Sequence, residues 1–122
     1  MKKILLVDDS ATMLMSMSAI LKKAGYAVET ADGGAMALQK VAGYVPDLVI
    51  TDLNMPGMDG ITLIGKLKNQ PALRFKPMLI LTTESKASKR QEGKAVGATG
   101  WLVKPVQPDQ LLDVIKKLVP GA

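Results

Sequence analysis

Five short apolar runs, at residues 4–7, 26–31, 48–50, 78–81 and 101–103, alternate with stretches of helical periodicity, and this alternation constrains the chain more than any other feature. Each run is too short for a buried helix, and those at 4–7, 48–50 and 78–81 are almost wholly aliphatic, as strands buried on both faces are. Between them, residues 11–24 carry Met13, Met17, Ile20 and Leu21 at helical spacing, with Ser10 or Asp9 as cap and Gly25 as stop. Helices are likewise predicted at 35–41, at 61–68 with Ile61, Ile64 and Leu67 inward, at about 86–96, and from Pro108 to Pro120-Gly121 with Leu111, Leu112, Ile115, Leu118 and Val119 on one stripe. A βα unit repeated five times calls for a parallel sheet with helices on both faces, joined by right-handed crossovers. The run at 26–31 is the less hydrophobic and is expected near the sheet edge.

Parallel strands share one carboxyl edge, the rim where open α/β sheets bind ligands. The residues following the runs, Asp8 and Asp9, Asp52, Thr82 and Lys104, are therefore expected to converge there. Behind Asp52 come Asn54, Met55-Pro56-Gly57 and Asp59-Gly60, turn formers that carry the chain off the sheet as a loop. The chain holds no His and no Cys, which removes imidazole bases, disulfides and thiolate chemistry. Three carboxylates in one cleft repel unless a cation sits among them. All-oxygen ligation with few protein ligands suits Mg²⁺ better than Ca²⁺. A metal, the Lys104 ammonium and the Thr82 hydroxyl around Asp52 make a phosphoryl-transfer arrangement, with the Asp52 carboxylate as nucleophile.

With 122 residues and 48% hydrophobic content, one domain spanning 1–122 is expected. No run approaches membrane-spanning or signal-peptide length, so a soluble cytoplasmic protein without membrane insertion is expected. The formal charge is +5, and residues 85–122 hold seven Lys or Arg against three Asp or Glu, a net of +4. Tyr26, Tyr44, Phe75 and Trp101 are scattered, which leaves no stacking platform for nucleic acid. The helix at 86–96 is poor, with Ser88, an interior Gly93 and few apolar residues, and is expected to be loosely held. On the first helix, Leu14 and Met15 fall off the apolar stripe and are expected to form a contact surface.

Asp8-Asp9, the segment D-L-N-M-P-G-M-D-G from Asp52 to Gly60, Leu81-Thr82-Thr83-Glu84 and Trp101-Leu102-Val103-Lys104-Pro105 together resemble the receiver domain of two-component response regulators, closest to the single-domain chemotaxis (CheY-like) type. The resemblance covers essentially the whole chain. It implies a flavodoxin-like sheet of order 2-1-3-4-5. It also implies Asp52 as phosphoacceptor, Mg²⁺ held by Asp8, Asp9, Asp52 and the backbone carbonyl of Asn54, Lys104 on the phosphoryl group, and Thr82 and Trp101 as the switch pair. Trp101 stands where the family commonly has Tyr or Phe, so its ring is expected to bury less fully, and to turn into space that Thr82 vacates on phosphorylation. Asn54 and Glu84 occupy the positions that tune dephosphorylation, a pair like the fast-turnover chemotaxis type.

With no histidine in the chain, a separate sensor histidine kinase or histidine phosphotransfer domain is expected as donor, docking on Leu14 and Met15. No output domain is expected, so the signal is expected to leave by docking, on the 86–119 face with Lys86, Lys89, Arg90, Lys94, Lys116 and Lys117, to an acidic, helical protein target. A monomer or a phosphorylation-dependent dimer is expected. Three rivals fit less well. A haloacid-dehalogenase-type phosphatase wants Asp where Asn54 stands. A flavin module would meet repulsion from Asp8-Asp9, and a phosphorylation-independent pseudo-receiver would not need the intact acidic pocket.

Overall fold

The computed structural model describes residues 1–120. Strands β1 (Lys3–Val7), β2 (Ala27–Ala31), β3 (Leu48–Thr51), β4 (Met78–Thr82) and β5 (Gly100–Val103) alternate with helices α1 (Ala11–Lys23), α2 (Gly34–Val41), α3 (Gly60–Lys68), α4 (Ala87–Val96) and α5 (Pro108–Leu118). All strand pairs are parallel, and the order is β2-β1-β3-β4-β5. The expected flavodoxin-like arrangement is what the chain adopts, with β2 on one edge and β5 on the other. Among the described residues no helix is long and apolar enough to cross a membrane.

The strand residues alternate between two cores. Leu5, Val7, Val49, Met78 and Ile80 pack beneath α2 and α3, with Val96 of α4 and Trp101 at the margin. Ile4, Leu6, Leu48, Ile50, Leu79 and Leu81 pack beneath α1 and α5. Each such side chain contributes about 1.5–3 kcal/mol by leaving water, which is why β1, β3 and β4 hold the middle of the sheet. Edge strand β5 is only partly covered.

Element ends depart slightly from the sequence reading. The helix from Pro108 closes at Leu118 rather than at Pro120-Gly121, and Gly121 lies outside the described residues. A short 3-10 turn, Pro71–Leu73, follows α3 and inserts the fully buried Leu73 under the sheet, which periodicity did not reveal. Asp47 does more than lead into β3. Its Oδ2 accepts the Lys3 N–H at 2.8 Å, its own N–H donates to Lys3 O at 2.8 Å, and its Oδ1 lies 3.5 Å from Lys76 Nζ. One carboxylate thereby ties together the starts of β1, β3 and β4. The Lys3 N–H, helped by the charge of Lys76, holds its pKa below the ordinary value of 3.8.

Candidate functional site

Asp8, Asp52 and Lys104 each follow the carboxyl end of a strand, and Thr82 is the last residue of β4. Asp8 follows β1, and its N–H continues the ladder to Ala31 O at 3.1 Å. Its side chain is buried, with Oδ1 accepting the Ser10 N–H at 2.9 Å. Ser10 in turn caps α1, its Oγ accepting from Met13 N at 3.3 Å. Asp52 follows β3 in the same way, its N–H donating to Val7 O at 2.9 Å and its Oδ1 accepting the Leu53 N–H at 2.7 Å. Sheet register thus brings the two aspartates side by side. Lys104 leaves β5, its N–H donating to Thr82 O at 2.8 Å. Its ammonium reaches inward to 3.0 Å from Asp8 Oδ2 and 3.5 Å from Asp52 Oδ2.

Asp8, Asp9 and Asp52 each present a carboxylate oxygen within 4.8 Å of the others. The donor set is all oxygen, so a hard divalent cation fits the residues present, sharing those oxygens with the Lys104 ammonium. The crowding foreseen for the metal-free pocket is therefore offset from within the chain, by that ammonium.

Two glycines escaped functional notice in the sequence. Asp59 and Gly60 read as turn formers, and Asp59 does cap α3, its Oδ1 accepting the Thr62 N–H at 2.8 Å. Gly60 has a further constraint: a Cβ there would overlap the backbone carbonyl oxygen of Asp52. The loop after Asp52 folds back so closely that only hydrogen fits. No local pattern announces this contact, because it depends on how the loop returns. The second is Gly93, which read as a weakness in α4 and is instead the buried residue of that helix, packed against Trp101.

Thr82 is fully buried, and its Oγ1 accepts the Glu84 N–H at 3.3 Å. Trp101 donates from Nε1 to Glu84 O at 3.0 Å. The Glu84 residue is thus held at both ends, by the hydroxyl of β4 and the indole of β5. Trp101 is half-buried, as its bulk suggested, and its ring lies against the core. Asn54 is exposed and Glu84 half-buried.

The surface residues separate into groups. Arg90 and Lys94 line a groove of about 490 Å³ with Ala87, Gln91, Gly100 and Trp101. Lys86, Lys116 and Lys117 are exposed but do not line that groove, and Lys89 turns to Glu92 at 3.5 Å. Met15 is 76% exposed, as foreseen. Leu14 is not on the outer face: it is half-buried and packs on the core beneath α1, because α1 rolls more of its circumference onto the sheet than the Met13–Met17 stripe implied.

A family model described as the response regulator receiver domain matches residues 4–116. The chain is 34% identical over 119 residues to Protein PilG of Pseudomonas aeruginosa, covering 98% of this chain and 88% of that protein. The structure of the chemotaxis protein CheY4 of Vibrio cholerae superposes with a TM-score of 0.94 at 46% identity, covering 98% of this chain and 99% of that one. The response regulator TrrA of Thermotoga maritima, solved in complex with Mg²⁺-BeF, gives a TM-score of 0.87 at 32% identity, covering 98% of this chain and 100% of that one.

Proposed function

The chain belongs to the response regulator receiver domain family, and on that premise we propose how its own residues run a phosphorylation-activated switch. Asp52 is the phosphoacceptor: a carboxylate oxygen forms a bond to phosphorus as the donor's bond to phosphorus breaks, and the donor leaves with that electron pair. The observation that carries this reading is the single cluster in which Asp8, Asp9, Asp52 and Lys104 meet at the carboxyl edge. Lys104, 3.5 Å from Asp52 Oδ2, offsets charge that builds on the phosphoryl oxygens. Asp8, Asp9 and Asp52, with the Asn54 backbone carbonyl, would hold Mg²⁺, which supplies further charge neutralisation to the phosphoryl group when bound. The Mg²⁺-BeF complex of TrrA supports this choice of ion.

Thr82 and Trp101 are the switch pair. A Thr82 hydroxyl drawn toward the phosphoryl group gives up the Glu84 N–H, and the loop that Trp101 grips at Glu84 O shifts its population of conformers. Asn54 and Glu84 tune the return hydrolysis. The donor is a sensor histidine kinase or a histidine phosphotransfer domain, since the chain has no histidine of its own. The output is an acidic protein segment docking beside Trp101, where Arg90 and Lys94 flank the groove. The likeness to CheY4 supports chemotaxis or a related pathway.

The test is labelling with acetyl phosphate. The expected outcome is one phosphoryl group per chain, abolished by chelator and by Asp52→Asn. Undiminished labelling of Asp52→Asn would overturn the assignment.

A further inference from the structure

Gly93 leaves a space that another residue fills. A Cβ there would lie 3.1 Å from Trp101 Cζ3, 3.3 Å from Trp101 Cε3 and 3.2 Å from Ile80 Cδ1, closer than side-chain carbons ordinarily pack. The helix gains nothing locally from this residue, because glycine is the poorest helix former after proline. What the glycine permits is the seat of the indole ring. Two neighbours could yield to a side chain at 93, and they are not equal. Ile80 is fully buried on β4 in the middle of the sheet, whereas Trp101 stands on edge strand β5 and is half-exposed toward the groove lined by Arg90 and Lys94. The ring is the one that would move.

We propose that Gly93 is a positioning residue for Trp101: the missing Cβ seats the indole ring inward, and the indole N–H then fixes the Glu84 carbonyl whose own N–H is bonded to Thr82 Oγ1. The links are Trp101 Nε1 to Glu84 O at 3.0 Å and Glu84 N to Thr82 Oγ1 at 3.3 Å. A helix residue thereby governs the ring that grips the loop beyond β4. The seat itself is a matter of packing in the unphosphorylated chain, and its signalling consequence rests on the switch reading of Thr82 and Trp101. A methyl group at 93 presses the ring outward by a few tenths of an ångström and strains the bond to Glu84 O, the loop's tie to the indole.

Trp101 is the single tryptophan, so its fluorescence reports this ring alone. In metal-free, unphosphorylated protein, Gly93→Ala is expected to shift the emission to longer wavelength and to raise quenching by acrylamide. It is also expected to lower the melting temperature, although alanine is the better helix former. In a Trp101→Phe background, where the ring lacks the indole's outer carbons and the Ile80 contact remains, the same substitution is expected to lower the melting temperature less. That difference between backgrounds is a coupling a merely local helix effect cannot produce. Unchanged emission and quenching, or an equal change of melting temperature in both backgrounds, overturns the proposal. A final comparison uses beryllofluoride with Mg²⁺ as phosphoryl mimic. The emission change it causes in the wild type is expected to shrink in Gly93→Ala. If the mimic leaves wild-type Trp101 unaffected while Gly93→Ala still shifts the ring's emission, the positioning role holds and the switch reading is what fails.

Discussion

The ammonium of Lys104 lies between Asp8 and Asp52, 3.0 Å from Oδ2 of the first and 3.5 Å from Oδ2 of the second. Both carboxylates are largely withdrawn from water, with side-chain exposures of 9% and 14%. Their repulsion is offset by a cation that belongs to the chain, and any ion bound by the same oxygens must share them with that ammonium.

Lys104→Met should separate the two effects of this arrangement. Removing one partner of a buried, charge-assisted bond leaves Asp8 uncompensated and costs the metal-free protein about 1–3 kcal/mol of stability. Removing a positive charge beside a cation site tightens Mg²⁺ binding, on the order of tenfold even at an effective dielectric near the 80 of bulk water. The variant is expected to melt earlier without metal, recover much of that loss in excess Mg²⁺ by ligand linkage, and accept phosphoryl groups more slowly. Thermal melts with and without Mg²⁺, beside acetyl-phosphate labelling, check all three. Weaker Mg²⁺ binding by the variant would mean that Lys104 helps to build the site.

Gly60→Ala sets helix propensity against a steric overlap. Alanine gains at most about 1 kcal/mol in a helix, whereas forcing a methyl group into packed backbone costs about 1–3 kcal/mol. A Cβ at this position would overlap the Asp52 carbonyl oxygen, part of the backbone itself, so the cost is expected to win. Denaturant melts should show net destabilisation. Labelling should slow as well, because the loop that must shift begins at the phosphoacceptor.

Asp47 is expected to shape the acid limb of stability. Its pKa in the folded chain lies below the ordinary 3.8, chiefly because the Lys3 N–H bonds its charged form. The stability it contributes is therefore complete above about pH 4 and is lost as pH falls through the lowered folded pKa. Asp47→Asn should be less stable than wild type at neutral pH, by on the order of 1 kcal/mol given its partial exposure. The difference should close in acid. Paired urea melts at neutral pH and below pH 4 measure it, and a gap that persists in acid would assign the effect to packing.

Docking of the phosphodonor is best probed at Met15 alone. Met15 is 76% exposed, so Met15→Gln is expected to change stability by no more than about 0.5 kcal/mol. Transfer from the cognate kinase should slow while acetyl-phosphate labelling stays as in wild type. Leu14 packs on the core beneath α1, so its replacement by a polar residue would disturb folding and docking together. Equal slowing of both reactions in Met15→Gln would identify the residue with the reaction itself rather than with the donor's surface.

What this chain could reveal by itself was whatever repeats or ends locally. Short aliphatic runs between helical stripes identified the alternation of strands and helices, and parallel strands oblige Asp8, Asp52, Thr82 and Lys104 to share one rim. The strand order came with the family resemblance, since no periodicity says which strand neighbours which. Contacts across the sheet were decided only by the tertiary structure. Lys104 finds Asp8 across 96 residues, Gly60 meets the Asp52 carbonyl, Gly93 yields room to the Trp101 ring, and Asp47 joins the starts of three strands. The rotation of α1 that half-buries Leu14 belongs with these. Local sequence encodes propensity and the period of burial. Distances between side chains from different elements depend on crossover paths, helix rotation and the return of loops, which the packed core settles as a whole.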